Sequence, residues 1–238
     1  TIYDDTTIYD DTTIYDDTTI YDDTTIYDDS IPFIDDEDSR LFQNAKDRNI
    51  LSESFRILTS NLNYLLPQNT GTKDAKVIIS TSSVKGEGKS FVALNVSLAL
   101  STLDKKVLLI GADLRNPQLH KYLETDKSIQ GLTSYLHNTN FDWKAAIINK
   151  FENLPNHHTL LTGIIPPNAT QLLANGNFEK IISQAKKDYD YIVIDTAPTL
   201  LVTDTLLISH LADAMLFICR SNYTEKEILN YPKELIKD

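Results

Sequence analysis

The chain has 238 residues, 41% of them hydrophobic, a single cysteine and a formal charge of −12. That length suits one domain of about 150 to 200 residues with appendages, and one cysteine excludes an intrachain disulfide, so a reducing compartment such as the cytoplasm is expected. The acidity is local: leaving out the ten aspartates of residues 4–29 and the four carboxylates at 35–38 turns −12 into +2, with no basic stripe to track a phosphate backbone, and nucleic acid is not an expected partner.

Residues 1–30 repeat TIYDDT four times and close on TIYDDS. A six-residue period is too short to bury a core, and ten Asp without one Lys or Arg predict a disordered acidic tail. IPFI at 31–34 reads as a short extended segment and the stretch up to residue 49 as linker, which leaves a folded domain over 50–238. ILSESFRILTSNLNYLL (50–66) puts Ile50, Phe55, Leu58, Leu62, Leu65 and Leu66 on one helical stripe, with Ser52 or Ser54 as cap and Pro67 as stop. A polar loop holding Gly71 follows.

Strand-like and helix-like runs then alternate. KVIIS (76–80), KVLLIGAD (106–113), HTLLTG (158–163), YIVID (191–195) and AMLFICR (214–220) read as strands; residues 89–103, 177–188 and 203–212 read as helices. Apolar strands without alternation, separated by helices, predict an α/β fold with a parallel β-sheet sandwiched by helices. Ligands of such folds bind at the carboxyl ends of the strands. No apolar run reaches the roughly 18 residues that span a bilayer, and no basic-then-apolar leader opens the chain. The chain is expected to be soluble and, since it starts at Thr1, to be a piece of something longer.

After the first strand comes SVKGEGKS, residues 83–90. A glycine-rich turn opening a helix offers unpaired amides and the positive end of the helix dipole to a phosphate. Gly86 and Gly88 permit close approach, Lys89 reaches the β- and γ-phosphates, and the Ser90 hydroxyl is a Mg²⁺ ligand. The strict pattern wants glycine where this chain has Ser83. Asp113 in GADLRNP, with Arg115 beside it, and Asp195 in YIVIDTAP end the strands that follow. Two carboxylates facing a lysine and a serine are what Mg²⁺–ATP chemistry requires.

SSVKGEGKS, LLIGADLRNPQLH and YDYIVIDTAPTLLVTD, supported by SESFRILTSNL, GLTSYL and GIIPPNATQLL, resemble the nucleotide motifs of the bacterial tyrosine kinases of capsule and exopolysaccharide export, over residues 50–220. The resemblance implies an autophosphorylating P-loop NTPase that moves the γ-phosphate of ATP to tyrosine hydroxyls. Matching positions make Lys89, Asp113 and Asp195 catalytic, and Ser90, Asp113 and Asp195 the Mg²⁺ ligands. Ser83, Lys85, Gly86, Glu87, Gly88, Lys89, Ser90, Phe91 and Arg220 become the nucleotide contacts. It also implies protein substrates bearing tyrosine, a membrane-embedded polysaccharide copolymerase or activator, fused or separate, and a place at the inner face of the membrane. Self-association is implied through the helix holding Glu53 and Arg56.

The chain departs from the family pattern at Gly111, where an aspartate is usual, at Lys85, where proline is usual, and at Thr59, where the self-association helix carries a second arginine. It also looks short of a last strand and helix and of a C-terminal tyrosine cluster. Two other readings stand beside the kinase. One is a switch ATPase like the partition and division-site proteins, whose signature lysine would fall at Val84; the other is a nucleotide-binding regulatory module without turnover. Tyr3, Tyr9, Tyr15, Tyr21 and Tyr27 of the repeats are either a plain appendage or tethered phosphoacceptors. Cys219 is expected as a buried, inert thiol and Trp143 and Phe141 as packing residues. His157 and His158 read as a solvated loop, Asp204 as a helix cap ahead of an approach to the nucleotide site, and Arg220 as stacking on a base.

Overall fold

The structure, a computed structural model, describes residues 30–31, 41–42, 49–66, 75–126, 128–200 and 202–230. The expectations for the repeat tail, most of the linker, the Gly71 loop and residues 231–238 lie outside these.

Five strands form the sheet: β1 (Lys76–Ser82), β2 (Val107–Gly111), β3 (His157–Leu160), β4 (Tyr191–Asp195) and β5 (Ala214–Ile218), in the order β3-β2-β4-β1-β5 and paired in parallel throughout. Alternate residues feed two cores. Ile78, Leu109, Val193 and Leu216 face one side, with helices α1 (Ile50–Leu65), α2 (Lys89–Ser101) and α3 (Leu119–Tyr122). Val77, Ile79, Leu108, Ile192 and Ile194 face the other, with α4 (Leu132–His137), α5 (Ala169–Leu173), α6 (Asn177–Ala185) and α7 (Asp204–Ile208). Burial of both strand faces explains why the strands read as unbroken apolar runs.

Helix α1 lays Leu51, Phe55, Leu58 and Leu62 onto α2. Its cap is neither serine: Asn49 in extended backbone accepts the amide of Ser52 at 2.7 Å, because a cap must precede the first helical turn. The stretch before it is docked at two points, with Ile31 and Phe42 buried in the same core and the Phe42 amide donated to Asn95 Oδ1 of α2 at 2.7 Å. Every residue of α2 but Phe91 is buried. Trp143 is buried and donates to Gln184 on α6 at 2.8 Å, and Cys219 is a buried free thiol.

Two further expectations are corrected. His157 and His158 do not sit in a solvated loop; they open β3, paired with Val107 and Leu108, and adjacent strand residues point to opposite faces. His157 is fully buried against Ser97 of α2 (Nε2 to Oγ, 2.8 Å), while His158 Nδ1 meets the Tyr189 hydroxyl at 2.9 Å. Asp204 does not cap α7. It is buried and takes Arg115 Nε at 2.7 Å and the Thr170 hydroxyl at 2.8 Å, since a charged partner and a hydroxyl satisfy a buried carboxylate that a single amide would not.

Candidate active site

The loop from Ser83 to Gly88 joins β1 to α2. Gly86 and Gly88 both have left-handed backbone (φ +95° and +99°), which turns the chain so that α2 starts at Lys89 with Gly88 as its cap. The Ser80 hydroxyl, donated to the Lys89 carbonyl at 2.9 Å, ties the start of the helix to the sheet.

Lys89 is buried and reaches across the strand ends. Its Nζ lies 3.0 Å from Asp113 Oδ2 and 3.9 Å from Asp195 Oδ1. The two carboxylates come from neighbouring strands, since β2 pairs with β4 so that Gly111 is opposite Asp195. Asp113 spends its other oxygen accepting the amides of Arg115 and Asn116, at 3.2 and 2.9 Å, which fixes its direction. Burial drives the Asp195 carboxyl up to about 6, with Lys89 and a Ser90 hydrogen bond pulling down and Asp113 pushing up. Burial lowers Lys89, yet Asp195 and Asp113 outweigh it and hold the ammonium above the usual lysine value.

These residues fit a divalent ion with a polyphosphate. Among the described residues Asp195 Oδ1 and Asp113 Oδ2 are buried without a well-formed hydrogen bond, as is Ser83 Oγ, and no group of three His, Cys, Asp or Glu could hold a metal alone. Mg²⁺ needs only one or two carboxylates when phosphate oxygens and waters complete its shell.

The remaining candidates divide. Lys85 and Gly86 are exposed on the loop, and Phe91 packs between Phe55 and Tyr122, with ring centroids 6.0 and 6.4 Å away. The Glu87 side chain turns back into the loop, accepting the Val84 amide at 2.7 Å and the Thr224 hydroxyl; burial outweighs these bonds and raises its carboxyl. Arg220 does not stand alone: its guanidinium lies 3.3 Å from the Gly86 carbonyl and over the Tyr223 ring, whose hydroxyl donates to the Lys85 carbonyl at 2.8 Å. Tyr223 and Thr224 thus strap the phosphate loop from beyond β5. Sequence reasoning missed them, because no motif marks them.

Gly111 has a structural account. A Cβ there would meet the Thr162 hydroxyl at 3.0 Å and its backbone nitrogen at 3.1 Å, and that hydroxyl is donated to the Gly111 carbonyl at 2.8 Å. Thr162 takes the space that an aspartate side chain would need. On α1, Glu53 and Arg56 pair with each other at 2.9 Å on the surface, whereas Thr59 faces the core.

A parallel sheet with this loop, a buried lysine and two strand-end aspartates defines a P-loop nucleotide-binding protein. The family model for the AAA domain matches residues 75–229. Tyrosine-protein kinase CpsD of Streptococcus agalactiae is 34% identical over 194 residues, covering 79% of this chain and 78% of the relative; tyrosine-protein kinase YwqD of Bacillus subtilis is 31% identical over 202 residues, covering 83% and 82%. The crystal structure of the chimerical protein CapA2B2 superposes with a TM-score of 0.74 at 29% identity, covering 84% of each chain. A plasmid partition protein from Borrelia burgdorferi, at 22% identity and a TM-score of 0.51, shares the fold alone. The chain belongs to the bacterial tyrosine-protein kinases of the P-loop NTPase superfamily.

Proposed function

We propose that this chain transfers the γ-phosphoryl group of ATP to tyrosine hydroxyls, its own and those of partner proteins, in the regulation of capsular or exopolysaccharide synthesis and export. The observation that carries the reading is the placement of Lys89 within 3.0 Å of Asp113 and 3.9 Å of Asp195 at the head of the phosphate loop. Lys89 and the amides of residues 85–90 hold the β- and γ-phosphates, and Ser90 and Asp195, with Asp113, are the ligands for Mg²⁺. The ion, when bound, neutralises phosphate charge during transfer. In this reading Asp113 orients the incoming hydroxyl and takes its proton. Glu87, Thr224 and Tyr223 act through the loop, keeping its amides aimed.

The relatives' names and Val84 both count against a switch ATPase. Among the described residues no helix is long and apolar enough to cross a membrane; a membrane partner, docking at the inner face of the membrane and self-association through the Glu53 and Arg56 face belong to this proposal.

The test is transfer from γ-labelled ATP with Mg²⁺, wild type against Lys89→Ala. Phosphotyrosine that falls at least ~100-fold in the variant is expected, the scale of losing one preorganised charge. Free phosphate without labelled tyrosine would overturn the kinase reading in favour of the ATPase.

A further inference from the structure

Beside the phosphate loop opens a cleft of about 790 Å³ that the loop, α3 and the 150–153 turn enclose. Its inner wall is aromatic: Phe91, Tyr122 and Phe151 line it and pack partly buried against the core. Lys85, Lys121 and Lys150 stand on its rim, against Glu124 and Glu152. Lys150 is spent on Glu124 at 2.9 Å, but Lys121 bonds the neutral Gln118, and neither Lys121 nor Lys85 meets a carboxylate among the described residues. The cleft floor carries Lys89 and Ser90, the groups at the transferred phosphate.

A wall of aromatic side chains, with Lys85 and Lys121 at its mouth unpaired to any carboxylate among the described residues, suits an aromatic side chain flanked by carboxylates. The chain supplies that ligand five times, as Tyr3, Tyr9, Tyr15, Tyr21 and Tyr27, each followed by two aspartates. The point of attachment is close, because Leu41 lines the same cleft and Ile31 is anchored in the adjoining core. At about 3.3 Å per residue, four residues back from Ile31 allow Tyr27 a reach of ~13 Å and twenty-eight allow Tyr3 ~90 Å, which brackets any point on a domain of this size.

We propose that the Tyr-Asp-Asp repeats of residues 1–30 are phosphoacceptors of this same chain, received by the lysine-rimmed aromatic cleft beside the phosphate loop. The inference rests on the kinase reading above. In the step itself the tyrosine oxygen bonds to the γ-phosphorus of ATP and the bond from that phosphorus to the β–γ bridging oxygen breaks. The phenolic proton passes to the Asp113 side of the site, and ADP leaves.

The full chain is incubated with ATP and Mg²⁺ and its phosphopeptides are mapped by mass spectrometry, with a random glutamate–tyrosine copolymer phosphorylated in parallel. Phosphate on repeat tyrosines is expected. Lys121→Glu, at an exposed position, should slow their labelling roughly three- to tenfold with the urea midpoint of the fold unchanged, the effect of turning one rim contact into a repulsion. Copolymer labelled in a Lys89-dependent way while the repeats stay bare, or label confined to Tyr122 or Tyr223, overturns the proposal and spares the kinase. Repeat labelling indifferent to Lys121→Glu overturns the cleft as the receiving site. No phosphotyrosine on either substrate overturns both readings.

Discussion

Two buried polar groups lie at opposite ends of the same sheet. At the carboxyl ends of β1, β2 and β4, Lys89, Asp113 and Asp195 form a charged cluster with carboxylate oxygens that lack well-formed hydrogen bonds. At the amino end of β3, His157 forms a neutral pair with Ser97. The Ser97 hydroxyl is donated to the Leu94 carbonyl at 2.7 Å, so it accepts from the Nε2–H of His157, which fixes the tautomer. Burial, with a smaller push from His158, lowers His157 to about 3, and it stays uncharged near neutrality. One end of the sheet holds charge in a strained balance that a ligand can resolve; the other is closed and serves packing. Burial alone does not mark a functional site, whereas buried charge at strand carboxyl ends does.

Asp195→Asn probes the charged end with the largest effect. Phosphotransfer should fall about 100- to 1,000-fold. The variant should stay folded at pH 7, because burial already makes the ionised form of Asp195 costly, with its carboxyl raised to about 6, and Asp113 remains beside Lys89. A variant that unfolds instead would give the cluster the structural character assigned here to His157.

His157→Leu probes the closed end and should leave kcat within about twofold. The sign of its pH effect follows from a folded value below the ordinary 6.5. The unfolded chain takes up a proton that the folded chain refuses, so stability is fully present above about 6.5 and is lost as pH falls towards 3. The loss from this group is about 1.4 kcal/mol per pH unit, and the leucine variant should lose that part of the acid slope in urea titrations. An unchanged slope would show that His157 is solvated after all.

The smallest effect is at the strap. Tyr223→Phe removes one hydrogen bond to the Lys85 carbonyl from a half-exposed side chain. A two- to fivefold rise in KM for ATP is expected, from about 0.5 to 1 kcal/mol, with kcat little changed. No change in KM would make the strap a surface contact without a part in holding the loop.

Most of the charged end was legible in the sequence. A glycine-rich turn between an apolar run and a helix has few other physical uses, and a strand that stops on Asp113 or Asp195 places that side chain at the ligand edge. Five strands and the long helices were legible for the same reason, through unbroken apolar runs. His157 was not, because a polar residue opening a four-residue strand looks like loop until its partner on α2 is known. Asp204 and Arg115 were missed likewise: they meet across 89 positions, and only the fold brings them together. The strap was illegible for a further reason, since Tyr223 and Thr224 act through the carbonyl of Lys85 and the carboxylate of Glu87, contacts with no spacing rule.

Helix α2 has a consequence of another kind. A helix enclosed on nearly every side has no solvent face through which to fray, and its apolar residues gain nothing until the sheet and α1 close around them. Its amides therefore exchange with solvent hydrogen only when the whole domain opens. The phosphate loop runs straight into that helix, with Gly88 as its cap, so nucleotide recognition is tied to cooperative folding, and any ligand held by the loop raises the barrier to exchange across the core.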